Sequence, residues 1–349
     1  MTPSTESRLT PVRLSVRWAD SAWVPAIEQR PAPQTVPRRL AARRPGARAG
    51  TRPVCPRPVA PARRQLPARR NTRPTGRSLR GFTLVEMLVV IAIIGILAGL
   101  LLPALASAKV KAMKAQAQTE MTGILTAITR YESTYGRMPI SDAALAALNA
   151  AGADCPDFTY GTMNNGALLT NKKGVALPAV LNLANGGPIS YQAANAELMA
   201  ILMDLPTFPG GGPTVNANHK KNPQKEAFLG AKMVSNTTDP GVGTDYVYRD
   251  PWGNPYIITL DMNSDNKVRD GFYRSRVVSQ LPAGSAGHPT ADATGYNGLF
   301  NTLDANGVGD HYEYNGNVMI WSLGPDGALD ANQSAILPPN KDNVLSWHN

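Results

Sequence analysis

The chain has 349 residues, of which 43% are hydrophobic and 17% charged, and it contains one long apolar run. This composition excludes a wholly disordered protein and a transporter with many membrane spans. The formal net charge of +10 arises at one end, because residues 1–81 hold 18 Arg, no Lys and three acidic residues, a net of +15. The remaining residues carry a net charge of −5, so the basic pI does not describe the folded part.

Residues 1–80 are rich in Arg and Pro. Such a segment buries too little apolar surface to offset the entropy of ordering, so we predict that it is disordered. A nucleic-acid-binding tail is disfavoured, because Trp18 and Trp23 are the only aromatic residues there and few bases could stack. Residues 1–81 are instead predicted to be a cytoplasmic leader, or upstream sequence joined to the chain by a misassigned start codon.

The apolar run extends from Phe82 to Leu102. Its 21 residues form roughly 31 Å of helix, which matches the hydrocarbon thickness of a bilayer. A secretory signal peptide has a shorter apolar core, so residues 82–102 are predicted to span the membrane. Arg77 and Arg80 precede the span, with many more Arg before them, and the N-terminus is therefore predicted to face the cytoplasm.

Glu86 is the one charged residue inside this run. A carboxylate in the membrane costs a few kcal/mol unless it has a partner, or unless it lies shallow enough to reach the headgroups. Pro103 follows the run and is predicted to loosen or kink the helix near the membrane exit, because it lacks one backbone donor.

Arg80 and Gly81, followed by Phe82-Thr-Leu-Val-Glu86, resemble the class III signal of type IV prepilins and type II secretion pseudopilins. The resemblance implies cleavage after Gly81 by prepilin peptidase and N-methylation of the new terminal Phe82. It also implies that Glu86 of one subunit meets the terminal amine of a neighbouring subunit in a filament. Pro103 falls where members of this family carry a helix-loosening proline, so Glu86 and Pro103 are predicted to be assembly residues.

Beyond the span, residues 103–136 are predicted to form an amphipathic stalk helix that packs on the head. Apolar residues recur at spacings of three and four, a pattern typical of one helix face; they are Val110, Met113, Ala117, Met121, Ile124, Ile128, Tyr131 and Tyr135. The segment from Arg130 to Pro139 resembles the exit from this helix in major pseudopilins. Residues 137–349 are long enough for one domain.

The head is predicted to be α+β, with a small antiparallel sheet laid on the long N-terminal helix. The predicted helices are a capped one after Ser141 that ends by Gly152, and one from Asn195 to Leu205 stopped by Pro206. The predicted strands are Tyr246–Tyr248, Tyr256–Leu260 and Val318–Ser322.

Two later segments extend the resemblance. Asp250-Pro-Trp-Gly-Asn-Pro-Tyr256 and Trp321-Ser-Leu-Gly-Pro-Asp-Gly327 resemble the two C-terminal signatures of the major pseudopilin of type II secretion. We call the segments Asp250–Tyr256 and Trp321–Gly327 the signature loops. The region of about 150–240 matches no family pattern.

Major pseudopilins bind calcium in a C-terminal loop, and the resemblance therefore implies a calcium site. Asp261, Asn263 and Asp265 place oxygen ligands at alternate positions, as loops that bind hard cations do. Asn266 stands where an EF-hand loop has Gly, so solvated Asx turns remain the alternative for this cluster. Two further incomplete clusters are Asp304-x-Asn306-Gly307-x-Gly309-Asp310 and Asp326 with Asp330.

An enzyme is disfavoured, because no nucleophile elbow and no phosphate-binding glycine loop is present. The four His residues are scattered without metal-ligand spacing. His311-Tyr312-Glu313 is predicted to lie exposed on a strand. No catalytic residue and no cofactor other than calcium is predicted.

The sequence therefore predicts a pseudopilin of a type II secretion-like system that drives protein export by polymerising. The alternatives are a type IV pilin for adhesion, motility or DNA uptake, and a membrane-anchored binding protein that does not polymerise. The predicted location is the bacterial inner membrane, crossed once, with the head in the periplasm and later in the filament. The predicted partners are prepilin peptidase, copies of the chain itself, minor pseudopilins, the inner-membrane assembly platform and the lipid bilayer, with no nucleic acid.

Overall fold

The computed structural model describes residues 81–164, 166–184, 186–282, 294–302 and 311–348. Its helices are α1 (Leu84–Tyr135), α2 (Asp142–Ala151), α3 (Ala196–Leu202) and α4 (Arg276–Ser279). Its strands are β1 (Phe158–Tyr160), β2 (Met163–Asn164), β3 (Ala167–Leu168), β4 (Leu183–Ala184), β5 (Gly187–Pro188), β6 (Gly241–Val242), β7 (Tyr248–Arg249), β8 (Ile257–Leu260), β9 (Lys267–Val268), β10 (Phe300–Asn301), β11 (Tyr312–Asn315), β12 (Val318–Ser322) and β13 (Val344–Leu345). Short 3₁₀ turns occupy Gly152–Asp154, Ala217–His219, Tyr296–Gly298 and Asn340–Asp342.

The predicted span and stalk form one continuous helix, α1, of 52 residues. The helix continues through Pro103 and ends at Gly136, whose φ of 63° is left-handed. The Gly136 N–H donates to the carbonyl of Glu132 at 2.7 Å. Glycine suits this position because it adopts a left-handed conformation without steric cost, and so it terminates the helix.

The C-terminal half of α1 packs on the head along the predicted apolar stripe. Its buried residues are Ala117, Met121, Ile124, Ala127, Ile128 and Tyr131. Val110 was predicted to belong to this stripe but is 37% exposed, because the head contacts α1 only from about Met113 onward. Everything on α1 before Lys111 is exposed.

A four-stranded antiparallel sheet with the order β1-β8-β12-β13 lies against α1. Every residue of β8 and of β12 is buried, so the two central strands are covered on both faces. Alternate side chains enter two separate apolar clusters, as the twofold period of a strand requires. Ile258 and Ile320 pack in the cluster that includes α1, whereas Ile257 and Trp321 pack in a second cluster with Phe272 and Tyr273. The predicted α+β architecture is confirmed.

The remaining strands form smaller antiparallel pairings. One sheet has the order β10-β11-β9, and the pairs β2-β3, β4-β5 and β6-β7 are two-stranded. The predicted strands at Val318–Ser322 and near Tyr256–Leu260 are confirmed as β12 and β8, and the helix capped by Ser141 is confirmed as α2.

Helix α3 is shorter than predicted, because it ends at Leu202 instead of Leu205. The chain leaves the helix at Asp204, whose φ of 54° is left-handed, before Pro206 is reached. Asn195 does not cap the helix with its side chain. Its amide instead donates to the carbonyls of Tyr248 and Tyr256 at 3.0 and 2.7 Å, and so it fixes α3 to the start of the sheet.

Two further predictions were wrong in detail. The strand predicted at Tyr246–Tyr248 is shifted to Tyr248–Arg249, since Tyr246 has a left-handed φ of 59° that a strand cannot accommodate. The exposed position predicted for Tyr312 and Glu313 is also wrong, because both are buried. The Glu313 carboxylate accepts hydrogen bonds from the Arg269 guanidinium at 2.5 and 2.8 Å, which compensates the buried charge.

Candidate functional site

The start of α1 is organised by a capping box around Glu86. Thr83 is the N-cap, and its hydroxyl oxygen accepts from the backbone N–H of Glu86 at 3.2 Å. In return, one Glu86 carboxylate oxygen accepts from the backbone N–H and the hydroxyl of Thr83, both at 2.8 Å. These reciprocal bonds satisfy donors that the first helical turn leaves free. Within one chain the Glu86 carboxylate therefore caps its own helix.

The predicted cleavage bond lies just before this cap. Gly81 and Phe82 are outside the helix and exposed, and the Phe82 side chain is 76% exposed. Among the described residues, apart from Gly81 itself and its chain neighbours, no atom lies within 4 Å of the position that a Cβ on Gly81 would take. Exposed, non-helical backbone is what a peptidase requires of its substrate, so the geometry permits cleavage between Gly81 and Phe82.

The apolar part of α1 has no protein neighbours in the described residues. Its large side chains are highly exposed, for example 81% for Leu84 and 71% for Leu100. Within the part of the chain that the structure describes, α1 is the one helix long and apolar enough to cross a membrane. Pro103 lies inside it, next to this exposed region. An unpacked apolar helix of this length needs lipid or other helices around it.

The two signature loops are joined to each other in space. Asp250 is 0% exposed; it accepts hydrogen bonds from the backbone N–H of Trp252 at 2.9 Å and of Asn254 at 2.8 Å, and from the hydroxyl of Ser322. The Asn254 amide donates to the carbonyl of Gly324 at 2.8 Å. The loops therefore form one buried polar connection that holds β7 and β12 together.

Burial raises the pKa of Asp250 to about 6, although the hydrogen bonds from Ser322 and the loop amides oppose this shift. An aspartate whose pKa is higher in the folded than in the unfolded chain stabilises the fold below about pH 4, and this contribution is lost as the pH rises through about 6. We expect the free energy of unfolding to fall between pH 5 and pH 8, by a smaller amount in Asp250→Asn. Urea denaturation across this range measures the slope; Asp154→Asn, at an exposed position, is the control. Equal slopes in all three proteins would contradict the assignment.

The structure brings the predicted calcium ligands Asp261, Asn263 and Asp265 into one turn. The two Asp261 carboxylate oxygens accept from the backbone N–H of Ser264 at 2.7 Å and of Asn266 at 2.9 Å. The Asn263 side-chain amide donates to Asp265 at 3.1 Å. These internal Asx-type bonds hold the turn, and a cation there would have to share or replace them. The residue types suit a hard cation, and the calcium site stays a prediction.

Sequence reasoning missed a carboxylate that supports this turn. Asp157, directly before β1, accepts from the backbone N–H of Met262 at 3.1 Å and of Arg269 at 2.7 Å. It thereby closes both ends of the segment 262–269. Burial, together with the nearby Asp261 and Asp265, raises the pKa of Asp157 to about 7. No local pattern indicates this contact, because its partners lie more than a hundred residues away.

Of the two other predicted oxygen clusters, the structure describes one. Asp326 and Asp330 each accept from a backbone N–H two residues on, from Ala328 and Asn332, as in Asx turns. Asp304-x-Asn306-Gly307-x-Gly309-Asp310 lies outside the described residues. Within the described residues, no group of three His, Cys, Asp or Glu side chains is placed to hold a metal ion.

Comparison with known proteins agrees with the N-terminal geometry. The family model of the prokaryotic N-terminal methylation motif matches residues 77–102. The type II secretion system core protein G of Klebsiella michiganensis is 36% identical over 84 residues, which are 24% of this chain and 59% of that protein. The protein of the same name from Dickeya chrysanthemi is 39% identical over 72 residues, 21% of this chain and 47% of that protein.

A pilin is also similar. The type IV major pilin protein PilE1 of Neisseria gonorrhoeae is 40% identical over 60 residues, 17% of this chain and 36% of that protein. The chain spans about half the length of the curated secretion proteins it matches. No solved structure matches. The predicted resemblance to type IV prepilins and type II secretion pseudopilins is confirmed.

Proposed function

We propose that this protein is a pseudopilin of a type II secretion-like system, a filament subunit that drives protein export through polymerisation and catalyses no reaction. The observation that carries the proposal is the register of Gly81, Phe82 and Glu86 at the start of a membrane-length exposed helix, within residues that match the methylation motif. The names of the similar secretion proteins support it.

The first step of the proposed cycle is processing. Prepilin peptidase cuts the exposed bond after Gly81, which removes residues 1–81, and the new amine on Phe82 is methylated. The N-methylated amine keeps its positive charge, so a cation then stands four residues before Glu86. The cut lies before the N-cap Thr83, and α1 therefore keeps its capping box after processing.

The second step is assembly through α1. In a filament the exposed apolar side chains of α1 exchange lipid for the helices of neighbouring subunits. The Glu86 carboxylate, which within the described residues of one chain accepts from Thr83, gains the Phe82 amine of a neighbour. A buried charge without a partner costs much more than a paired one, so this contact favours the correct axial register of subunits over a misplaced one. Pro103 loosens the helix where it leaves the membrane.

The proposed location is the inner membrane with a cytoplasmic N-terminus and a periplasmic head. Besides prepilin peptidase and copies of itself, its partners are minor pseudopilins and the assembly platform. A type IV pilin is the second candidate, supported by the similarity to PilE1. The joined signature loops favour the secretion-type subunit, because their residues resemble the major pseudopilin. The third candidate is a membrane-anchored binding protein that never polymerises.

Mass spectrometry of the mature N-terminus tests the proposal. We expect membranes from cells with prepilin peptidase to yield a chain that begins at methylated Phe82, and cells without the enzyme to yield a longer chain. Gly81→Glu should block cleavage, since a side chain at this position would occupy the peptidase subsite next to the cut. Glu132→Gln, at a partly exposed acid near the end of α1, is the control and should be processed normally. A long N-terminus in all these samples would refute the proposal.

Calcium binding to the turn at Asp261, Asn263 and Asp265 is a separate prediction. Titration of the processed protein in detergent with Ca²⁺ should raise its melting temperature, because an ion that binds only the folded state stabilises it. Asp265→Asn should weaken the effect, while Asp239→Asn, at an exposed acid elsewhere, should not. If the melting temperature of the unmodified protein does not change with Ca²⁺, this turn is held by Asx bonds alone.

A further inference from the structure

An exposed aliphatic patch lies on the surface of the head. It consists of Val277, Ile336 and Leu337, which are 56%, 51% and 46% exposed, together with Leu281. These residues line a shallow groove of about 540 Å³. The backbone N–H of Ala335 donates to the carbonyl of Val278 at 2.8 Å, so the two segments that form the patch are fixed to each other. Clustered exposed aliphatic side chains of this kind mark a contact surface.

The patch lies at the end of the head that faces the membrane. Ile336 also borders a neighbouring cleft together with Lys114 and Gln118, which lie on α1 where it first meets the head. The opposite end of the head is marked by Tyr131, whose hydroxyl donates to the carbonyl of Lys221 at 2.6 Å. Along the direction of α1, the membrane span therefore comes first, the aliphatic patch of the head lies beside the next part of the helix, and the region of Lys221 lies beside its end.

The distance to the bilayer is short. Lys114 follows Leu102, the end of the apolar run, by 12 residues, which corresponds to ~18 Å of helix. The headgroup layer covers roughly 5–7 Å of this length. Single membrane helices tilt by about 20° on average and by up to about 40°. A tilt toward the patch lowers this side of the head toward the headgroups.

The charges around the patch have the sign that a phospholipid surface requires. Lys109 and Lys111 are exposed on α1 between the span and the head. Lys341 is exposed and lines the neighbouring cleft with Lys114, and Arg276 lines the groove itself. Two acids lie on this side as well: Asp342 is partly buried and interacts with Lys114, and Asp326 beside it is exposed. Aliphatic side chains with flanking Lys and Arg are typical of surfaces that bind anionic lipid.

We propose that this patch docks the head on the outer surface of the bilayer, with the aliphatic side chains in the headgroup layer and Lys114, Arg276 and Lys341 near lipid phosphates. The proposal rests on α1 spanning the membrane and not on polymerisation. A lipid surface fits better than a second copy of the chain, because the flanking charges are basic and the membrane span holds the patch close to the bilayer. Assembly into a filament would lift the head off this surface.

A lipid-depth measurement on the full chain tests the docking. Cys155 is 5% exposed, so it is replaced by Ala, and Cys55 by Ser, to leave one labelling site. A polarity-sensitive fluorophore is attached to Ile336→Cys or, as the matched control, to Gln224→Cys, which is exposed at the far end of the head. The proteins are reconstituted at high dilution in phosphatidylcholine vesicles with or without phosphatidylglycerol, and nitroxide-labelled lipids serve as quenchers.

We expect the nitroxide-labelled lipids to quench the fluorophore at position 336, and to quench it more strongly when the vesicles contain phosphatidylglycerol. The fluorophore at position 224 should not be quenched. Lys341→Glu should reduce the loss at 336 in vesicles that contain phosphatidylglycerol, as should high salt, since screening weakens charge contacts at the surface. Equal and weak quenching at both positions would overturn the proposal. So would disulfide cross-linking of Ile336→Cys between copies without quenching, which would assign the patch to a contact between subunits.

Discussion

Glu86→Gln is expected to abolish filaments while the protein remains inserted in the membrane. The Gln side-chain oxygen still accepts from the N–H of Thr83, so the capping box that begins α1 is largely retained. The substitution therefore removes the negative charge and little else. In the proposed filament, the Phe82 amine of the neighbouring subunit would then be buried without an opposite charge. The cost is about 2–3 kcal/mol for each subunit, roughly a 30- to 150-fold fall in affinity for the filament end.

The measurement is electron microscopy of sheared filaments, with membrane fractionation of the same cells. Glu86→Ala should have the same effect on filaments and should also weaken the helix start. Glu132→Gln, on the same helix but outside the span, should form normal filaments. If Glu86→Gln yields filaments as abundant as the unmodified protein, the carboxylate serves to cap α1 and does not direct assembly. If the unmodified protein itself forms no filaments, an anchored protein that does not polymerise becomes the better interpretation.

The features that the sequence predicted well are those encoded by neighbouring residues. Helix α1 follows from an apolar run and a stripe with a period near 3.6, and Gly136 ends it by local backbone chemistry. Helix α2 begins where the Ser141 hydroxyl accepts from the N–H of Ala144 at 3.1 Å and ends near Gly152 as predicted. Strand β12 is recognisable because a short apolar run that includes β-branched residues fits a strand covered on both faces.

The features that it missed depend on residues far apart in the chain. The strand predicted from Tyr256 begins at Ile257, and no pattern indicated that the Tyr256 hydroxyl donates to the Glu120 carboxylate of α1 at 2.5 Å, a contact across more than a hundred residues. Asp157 closes the segment 262–269 in the same way. The early end of α3 depends on one left-handed residue, Asp204, which outweighs the helix propensity of the residues around it. Such positions are set by tertiary packing, which no local pattern records.

The residues of the candidate site also differ in whether neighbouring residues or distant ones determine their contacts. Gly81, Phe82 and Glu86 lie within six consecutive residues, so a motif is enough to find them, and the structure adds the capping role of Glu86. The two signature loops lie about seventy residues apart in the chain. Their resemblance to pseudopilins indicated that both belong to the family pattern, but only the structure shows that Asp250 and Ser322 bond to each other.

Asp270→Ala is expected to be the most destabilising substitution in the head. Asp270 is 0% exposed and sits behind the central sheet. One carboxylate oxygen accepts from the backbone N–H of Phe272 and Tyr273, both at 2.9 Å. The other accepts from the Thr259 hydroxyl at 2.7 Å and from the Trp321 indole N–H at 3.0 Å. Alanine would leave four buried donors without this acceptor, and we expect a loss of about 3–5 kcal/mol in the free energy of unfolding.

Trp321→Phe separates the hydrogen bonds from the packing. Phenylalanine retains an aromatic ring against Phe272 and Tyr273 but removes the indole donor, so a loss of about 1–3 kcal/mol is expected. Urea denaturation of the processed protein in detergent, followed by far-UV circular dichroism, measures both variants, and Asp239→Ala on the surface should change stability by less than about 0.5 kcal/mol. If Asp270→Ala were as mild as Asp239→Ala, the carboxylate would not organise the sheet. A destabilised Asp270→Ala head that still supports filaments would show that assembly through α1 is independent of the packing behind β8 and β12.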